Sequence, residues 1–218
     1  MNDIKLLEGP ELNPKSKKIE KMVIFLHGYG ADGSDLINIA HEWIDILPNT
    51  VFYAPNAPFI CDVNPSGYQW FKLNERNEKE LEKGLIECGP YIEKFIDQKL
   101  KDNNIEIADL AVFGFSQGTM VALNHLLKRK KSCAGIIGHS GILFQEEGLK
   151  NCNSSIPILL YHGKEDQVIS YKYCLEAKKN LISEGFKVNC FIQENLEHGI
   201  DSRGIELGQE FLKRILKV

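Results

Sequence analysis

AVFGFSQGTMVAL, residues 111–123, begins as an apolar run of strand length, breaks at Gly114-Phe115-Ser116-Gln117-Gly118 and resumes with helical character. Gly-x-Ser-x-Gly between a strand and a helix is the pattern of a serine carried on a sharp turn. Residues two before and two after such a serine must be small, because strand and helix pass close to each other there. The turn lifts the hydroxyl clear of the sheet and sets it at the positive N-terminal end of the helix. The pentapeptide alone is common, and a tight turn with a capping serine is the plainer alternative. The strand before it and the apolar helix after it favour the reactive serine.

A serine hydroxyl is a poor nucleophile at neutral pH and needs a base, which in turn needs an orienting acid. On a strand–turn–helix of this kind the partners follow the serine in the order acid, then histidine. After the apolar run IPILLYH (156–162) come Glu165 and Asp166, two carboxylates at a strand's C-terminal end. Asp166 lies one residue deeper in the loop and has the shorter, stiffer side chain; Glu165 is the alternative. After KVNCFI (187–192) comes QENLEHGI, and His198 is the one histidine that follows both serine and acid. Order, residue type and position at strand ends together select Ser116, Asp166 and His198.

An earlier stretch, MVIFLHGYGADG (22–33), contains Gly28-x-Gly30-x-x-Gly33 after a strand-like run, which taken literally is a dinucleotide-binding turn. That site also needs an acidic residue about 20 positions on, at the tip of the next strand. The next strand ends in Tyr53-Ala54-Pro55-Asn56, with no carboxylate. Acyl transfer supplies a different use for the loop. The oxyanion of a tetrahedral intermediate is best held by preorganised backbone N–H groups. One comes from the residue after the nucleophile, Gln117, and the second from the loop after the earlier strand, at Tyr29. His27 is expected to hold that loop by hydrogen bonds.

Around these motifs, strand-length apolar runs (22–27, 51–54, 109–114, 133–138, 156–162, 187–192) alternate with helical periods (34–46, about 79–101, 117–130, 171–184, 203–217). Near-continuous apolar strands imply a sheet covered on both faces, hence a mostly parallel sheet in a three-layer α/β sandwich. Residues 4–21 have the makings of antiparallel edge strands, and Gly89-Pro90 should kink or split the second helix. The 218 residues suit one domain, 1–218. The longest stretch without regular pattern, 55–78, has the length of a functional loop. Phe59, Ile60, Trp70, Phe71, Ile142 and Leu143 lie on loops near the site and are candidates for an acyl pocket, with ordinary packing as the alternative.

Composition excludes several functions. A net charge of -4 and a pI near 5.9 give no general attraction to nucleic acid or anionic membrane. The basic run Lys128–Lys131 closes a helix, where cations offset the dipole. The six cysteines form no C-x-x-C pair and no metal-ligand spacing with histidine, so no metal or other cofactor is expected. Residues 110–127 are uncharged, but Gly114, Gln117, Gly118 and Asn124 interrupt them, and stable membrane insertion is not expected. The N-terminus lacks the order of a signal peptide, and reduced thiols in a cytoplasmic protein are the plain reading.

FLHGYGADG, GFSQG, HGKEDQV and EHGI, in this order and spacing, resemble the acyl-protein thioesterase and carboxylesterase (lysophospholipase-like) family of α/β-hydrolases, and QWFKL (69–73) is similar to its substrate loop. The resemblance spans essentially the whole chain. It implies an α/β-hydrolase without a large cap domain, and hydrolysis of carboxylic esters or thioesters through an acyl-enzyme. Ser116, Asp166 and His198 would be its triad, with the N–H groups of Tyr29 and Gln117 as its oxyanion hole. Lysophospholipid hydrolysis is the alternative within the family, and a homodimer is compatible with it. A non-catalytic hydrolase-fold protein that binds an acyl ligand is the rival from another class. Two positions depart from the pattern: Thr119 stands where a glycine commonly follows the turn, and Glu197 where a glycine commonly precedes the histidine. A carboxylate beside His198 matters only if it faces the ring, and a solvent-facing Glu197 is expected.

Overall fold

Alternation of side chains along the strands divides the core in two. In β2 (Lys21–Leu26), Met22, Ile24 and Leu26 join one buried cluster, while Val23 and Phe25 join another on the opposite face. A strand apolar on both faces has to be covered on both, and helices from the rest of the chain do this. The computed structural model describes residues 4–73, 78–144, 149, 152 and 154–218.

Among the described residues the sheet has seven strands: β1 (Glu11–Leu12), β2, β3 (Thr50–Tyr53), β6 (Leu110–Phe115), β7 (Gly135–His139), β8 (Ile158–Gly163) and β9 (Val188–Gln193). Their spatial order is β1-β3-β2-β6-β7-β8-β9. Only β1 runs antiparallel, against β3, and every other pair is parallel. The first cluster is closed by α2 (Glu78–Asn103), α3 (Gln117–Leu126) and α4 (Lys172–Ser183), through residues such as Leu85, Val121 and Leu181. The second is closed by α1 (Gly33–Trp43) and α5 (Ser202–Leu216), through Trp43, Leu207 and Phe211. This is the expected three-layer α/β sandwich, and each expected core strand falls within two residues of an observed one. The edge strand anticipated within 4–21 is β1.

Two expectations change. Gly89-Pro90 does not split α2, which runs unbroken through Pro90. Pro90 cannot donate to the Ile86 carbonyl, but the helix is supported from outside at that turn. His125 of α3 lies 2.9 Å from the Leu85 carbonyl through Nε2, and a Cβ at Gly89 would come within 2.5 Å of the His125 ring. The patternless stretch 55–78 holds a two-stranded antiparallel hairpin, β4 (Phe59–Ile60) with β5 (Tyr68–Gln69). It is fastened to the loop after β2: Gly30 N–H donates to the Tyr68 carbonyl and Tyr68 N–H to that of Ala31, both at 2.8 Å. Residues 74–77 of that stretch lie outside the described residues.

Trp43 is the largest side chain of the second cluster. It is wholly enclosed, stacks on Phe25 at 5.7 Å and meets Phe113 edge-on at 6.0 Å. Its Nε1 has no hydrogen-bond partner among the described residues. Trp43→Ala should therefore cost about 3–5 kcal/mol in denaturant unfolding, the usual cost of emptying a large aromatic site. Trp43→Phe keeps a ring and deletes the unpartnered donor, and should cost clearly less.

Candidate active site

Strand β6 delivers Ser116 into a conformation that L-residues rarely adopt. Ser116 is the N-cap of α3, with φ 52° and ψ −115°. Such strain persists only where the surroundings over-determine it. Here close approaches at Gly114 and Gly118 and hydrogen bonds of Ser116 and Thr119 do so. A Cβ on Gly118 would lie 1.9 Å from the Leu26 carbonyl oxygen, and one on Gly114 would lie 2.5 Å from the Thr119 nitrogen. Ser116 N–H donates to the His139 carbonyl at 2.8 Å, tying the turn to β7. The Thr119 hydroxyl lies 2.8 Å from the carbonyls of both Gly114 and His139. The departure at Thr119 thus strengthens the turn, and no sequence signal marked that role.

The loops after β8 and β9 bring the two expected partners to this serine. His198 Nε2 lies 3.0 Å from Ser116 Oγ, and His198 Nδ1 lies 2.7 Å from Asp166 Oδ2. The other carboxylate oxygen, Oδ1, accepts from Val168 N–H and Ile169 N–H, both at 2.8 Å. Burial pushes the Asp166 carboxyl up, but the Ile169 N–H, His198 and Val168 N–H hydrogen bonds outweigh it and hold the pKa below its ordinary value. Asp166 is thus an ionised, buried carboxylate. Glu165 and Glu197 are both exposed. Among the described residues no salt bridge or hydrogen bond joins Glu197 to His198.

The glycine loop lies against the same serine. A Cβ on Gly28 would lie 3.4 Å from Ser116 Cβ, and Gly30 has φ 78°, which glycine adopts freely. His27 holds the loop as expected. Its Nδ1–H donates to the Gly28 carbonyl at 2.7 Å, and its Nε2 accepts from Ala57 N–H at 2.9 Å. That pattern requires a neutral ring, and burial, the leading cause, lowers the His27 pKa. Gln117 opens α3, where the first N–H groups have no intrahelical partner. Its buried side chain accepts from Trp70 N–H at 2.9 Å and donates to the Phe71 carbonyl at 2.8 Å. That clamp between the turn and the 55–78 stretch was not read from the sequence.

The acyl-pocket candidates divide. Trp70 and Phe71 are wholly buried, which corrects their expected place on a pocket wall. The Trp70 Nε1–H donates to the His27 carbonyl at 2.9 Å, and Phe71 packs where a Cβ on Gly84 would sit. They fasten the loops around the serine from behind. Ile142 and Leu143 are half-buried, just after Gly141, whose Cβ would lie 3.0 Å from the Ser116 carbonyl oxygen. Phe59 is half-buried and packs edge-on against Tyr91 at 5.7 Å, while Ile60 is exposed. A hollow of about 290 Å³ opens beside His198, between Gly28, Ala31, Leu36, Phe115 and Ile200, with Asp35 also on its wall. A larger one, about 460 Å³, lies between α2 and Arg129–Lys131 and shares no residue with these groups. No set of histidine, cysteine and carboxylate side chains suited to a metal occurs among the described residues.

Against known proteins, the profile of the phospholipase/carboxylesterase family matches residues 7–216. Acyl-protein thioesterase 1 of Emericella nidulans is 27% identical over 95% of this chain and 95% of its own length. Esterase YpfH of Escherichia coli is 23% identical over 90% of this chain and 84% of its own. Among solved structures, esterase PE8 superimposes with a TM-score of 0.93 at 34% identity, covering 97% of this chain and all of that one.

Three buried histidines and the half-buried His125 make stability depend on pH. Burial, the leading cause in each, lowers the pKa of His27 and His162, that of His125 to about 4 and that of His139 to about 3. A histidine whose folded pKa lies below its unfolded value of about 6.5 binds protons more readily when unfolded, so stability is lost as pH falls below that value. Each contributes up to about 1.4 kcal/mol per pH unit. The lowered Asp166 carboxyl acts in a separate window: its contribution is present above about pH 4 and lost as pH falls through the lower folded value. Urea unfolding should therefore show a clear loss of stability from pH 7 to pH 5, and equal stability at both would contradict these burial effects.

Proposed function

The chain belongs to the phospholipase/carboxylesterase family of α/β-hydrolases, and on that footing we propose that it hydrolyses carboxylic esters or thioesters through an acyl-enzyme on Ser116. The observation that carries this reading is the continuous hydrogen-bonded line from Ser116 Oγ through His198 to the buried Asp166 carboxylate, at 3.0 and 2.7 Å. It begins on a strained backbone turn, with Ser116 at φ 52°.

Ser116 Oγ attacks the acyl carbon and passes its proton to His198 Nε2. Asp166 keeps the proton of His198 on Nδ1 and stabilises the imidazolium that forms. The carbonyl oxygen of the substrate becomes an oxyanion and is held by the N–H groups of Tyr29 and Gln117. The imidazolium then gives its proton to the departing alcohol or thiol, and the bond to the leaving group breaks. Water, deprotonated by His198, attacks the acyl-enzyme; a second tetrahedral intermediate collapses, releasing the carboxylic acid and restoring Ser116.

Because His198 protonates the leaving group, the hollow beside His198 suits the departing alcohol or thiol. Ile142 and Leu143, beyond Gly141, are then the wall for the acyl group. Among the described residues no helix is long and apolar enough to cross a membrane. The six cysteines are free, which supports a reducing compartment such as the cytoplasm.

Hydrolysis of chromogenic esters from acetyl to palmitoyl, wild type beside Ser116→Ala, tests the reading. The wild type should be active, and the substitution should lower kcat by on the order of 10⁴-fold or more, with a residual rate from the oxyanion donors. Equal inactivity of both proteins across the series would contradict it and return the binding-protein reading.

A further inference from the structure

His162 is the penultimate residue of β8, only 1% exposed, and the scheme above gives it no role. Its Nε2 lies 3.1 Å from Asp166 Oδ2 and 2.8 Å from the Ile169 carbonyl oxygen. Both of those atoms are acceptors, so Nε2 carries the proton. One N–H thus reaches both ends of the segment 166–169, the same segment whose amides at Val168 and Ile169 hold the other carboxylate oxygen. Asp166 Oδ2 is shared between two histidines, His198 toward the serine and His162 from beneath.

We propose that His162 is a positioning residue for the reaction: through the Ile169 carbonyl it holds the segment that carries Asp166 in the orientation that serves His198, and its Nε2–H, 3.1 Å from Oδ2, disperses the charge that His198 meets. The proposal rests on the reading of Ser116, His198 and Asp166 as the reacting set. Without the His162 donor, the segment loses its tie at the Ile169 carbonyl and Oδ2 loses the N–H beside it, so the carboxylate is freer to rock about the amides on Oδ1. The charge formerly shared with His162 then falls wholly on the proton of His198 Nδ1, which stabilises the imidazolium.

The surroundings leave His162 no other function of this kind. Its Nδ1 has no partner among the described residues, and neither has the hydroxyl of Ser140. Both residues line a small hollow of about 10 Å³, together with Thr119, Tyr161 and apolar groups including Leu160 and Ala177. The titratable groups around the ring are Asp166 and His198 on the loop side, with His139 and Cys174 on the sheet and α4 sides. Only Asp166 among them lies within hydrogen-bond reach of Nε2. A neutral ring in such a site costs stability through its unpartnered Nδ1, so its retention calls for a gain elsewhere. The hydrogen bond to the Ile169 carbonyl, with Nε2–H close beside Asp166 Oδ2, is that gain.

The test compares His162→Gln, His162→Asn and His162→Leu with wild type. Glutamine can place an N–H near the position of Nε2; asparagine reaches only to the level of Nδ1; leucine has no donor. A fluorophosphonate that labels Ser116 counts active sites in each protein, so that rates are per competent molecule and an unfolded fraction does not enter. Labelling of wild type at Ser116 also tests the underlying reading separately: no labelling sinks that reading, whatever the His162 variants do. Per active site, His162→Leu and His162→Asn should lose roughly 10- to 100-fold in kcat, the scale of one hydrogen bond to a charged group. KM should change little. The acid limb of kcat/KM should move to higher pH in both, and His162→Gln should recover most of kcat and return the limb toward wild type. If His162→Leu does not fold, glutamine against asparagine carries the comparison. Asparagine and glutamine variants with equal kcat and an unmoved acid limb would overturn the proposal, leaving His162 a packing residue.

Discussion

The turn at Ser116 depends on a steric constraint: the backbone of α3 passes so close to β2 that no side chain fits between them. A Cβ on Gly118 would overlap the Leu26 carbonyl, and the strand–helix crossing forces Ser116 to φ 52°. The cost of that conformation, of order 1–3 kcal/mol, is offset by the parallel core strands on either side. Ser116 N–H is bound to the end of β7 and Thr119 is bound to the ends of both β6 and β7. The same crossing sets the Gly28 loop against the serine. One packing constraint thus sets Ser116, the start of the helix and the Gly28 loop, which the proposed mechanism uses as nucleophile and oxyanion donor.

A second constraint acts at the far end of the sheet. Asp166 is charged and buried, a costly combination unless its lone pairs are filled. Its two oxygens accept from Val168 N–H, Ile169 N–H and His198, and His162 Nε2 lies 3.1 Å from Oδ2. Three donors and this close N–H make the carboxylate a fixed point, and His198 inherits its orientation from it. The site is therefore assembled from opposite directions, a strained turn on β6 and a saturated carboxylate beyond β8. The two meet through a single imidazole.

Much of this was legible in the chain. Parallel strands buried on both faces read as continuous apolar runs, and the chain order of serine, acid and histidine selects Ser116, Asp166 and His198, which the fold brings into contact. Other features leave no local trace. The Gln117 side chain binds Trp70 and Phe71 across 47 and 46 residues, and nothing near Gln117 signals that clamp. Trp70 and Phe71 sit in an irregular stretch, where a large aromatic suggests a pocket wall; only the fold shows that they lie behind the serine, fully enclosed. Pro90 reads as a helix break because its helix partner across the core, His125, lies 35 residues away in the chain. Nothing near His162 signals its contact with Asp166, which depends on the loop folding back.

Acylation of Ser116, with release of the acyl group by water, is tested most directly by mixing the enzyme with an activated acetyl ester, quenching in acid within one turnover and measuring the mass of the peptide that holds Ser116. A transient gain of one acetyl group on Ser116, decaying at the rate of steady-state turnover or faster and absent from Ser116→Ala, is the predicted result. Turnover with the acetyl group on another residue, or undiminished turnover in Ser116→Ala, would contradict it.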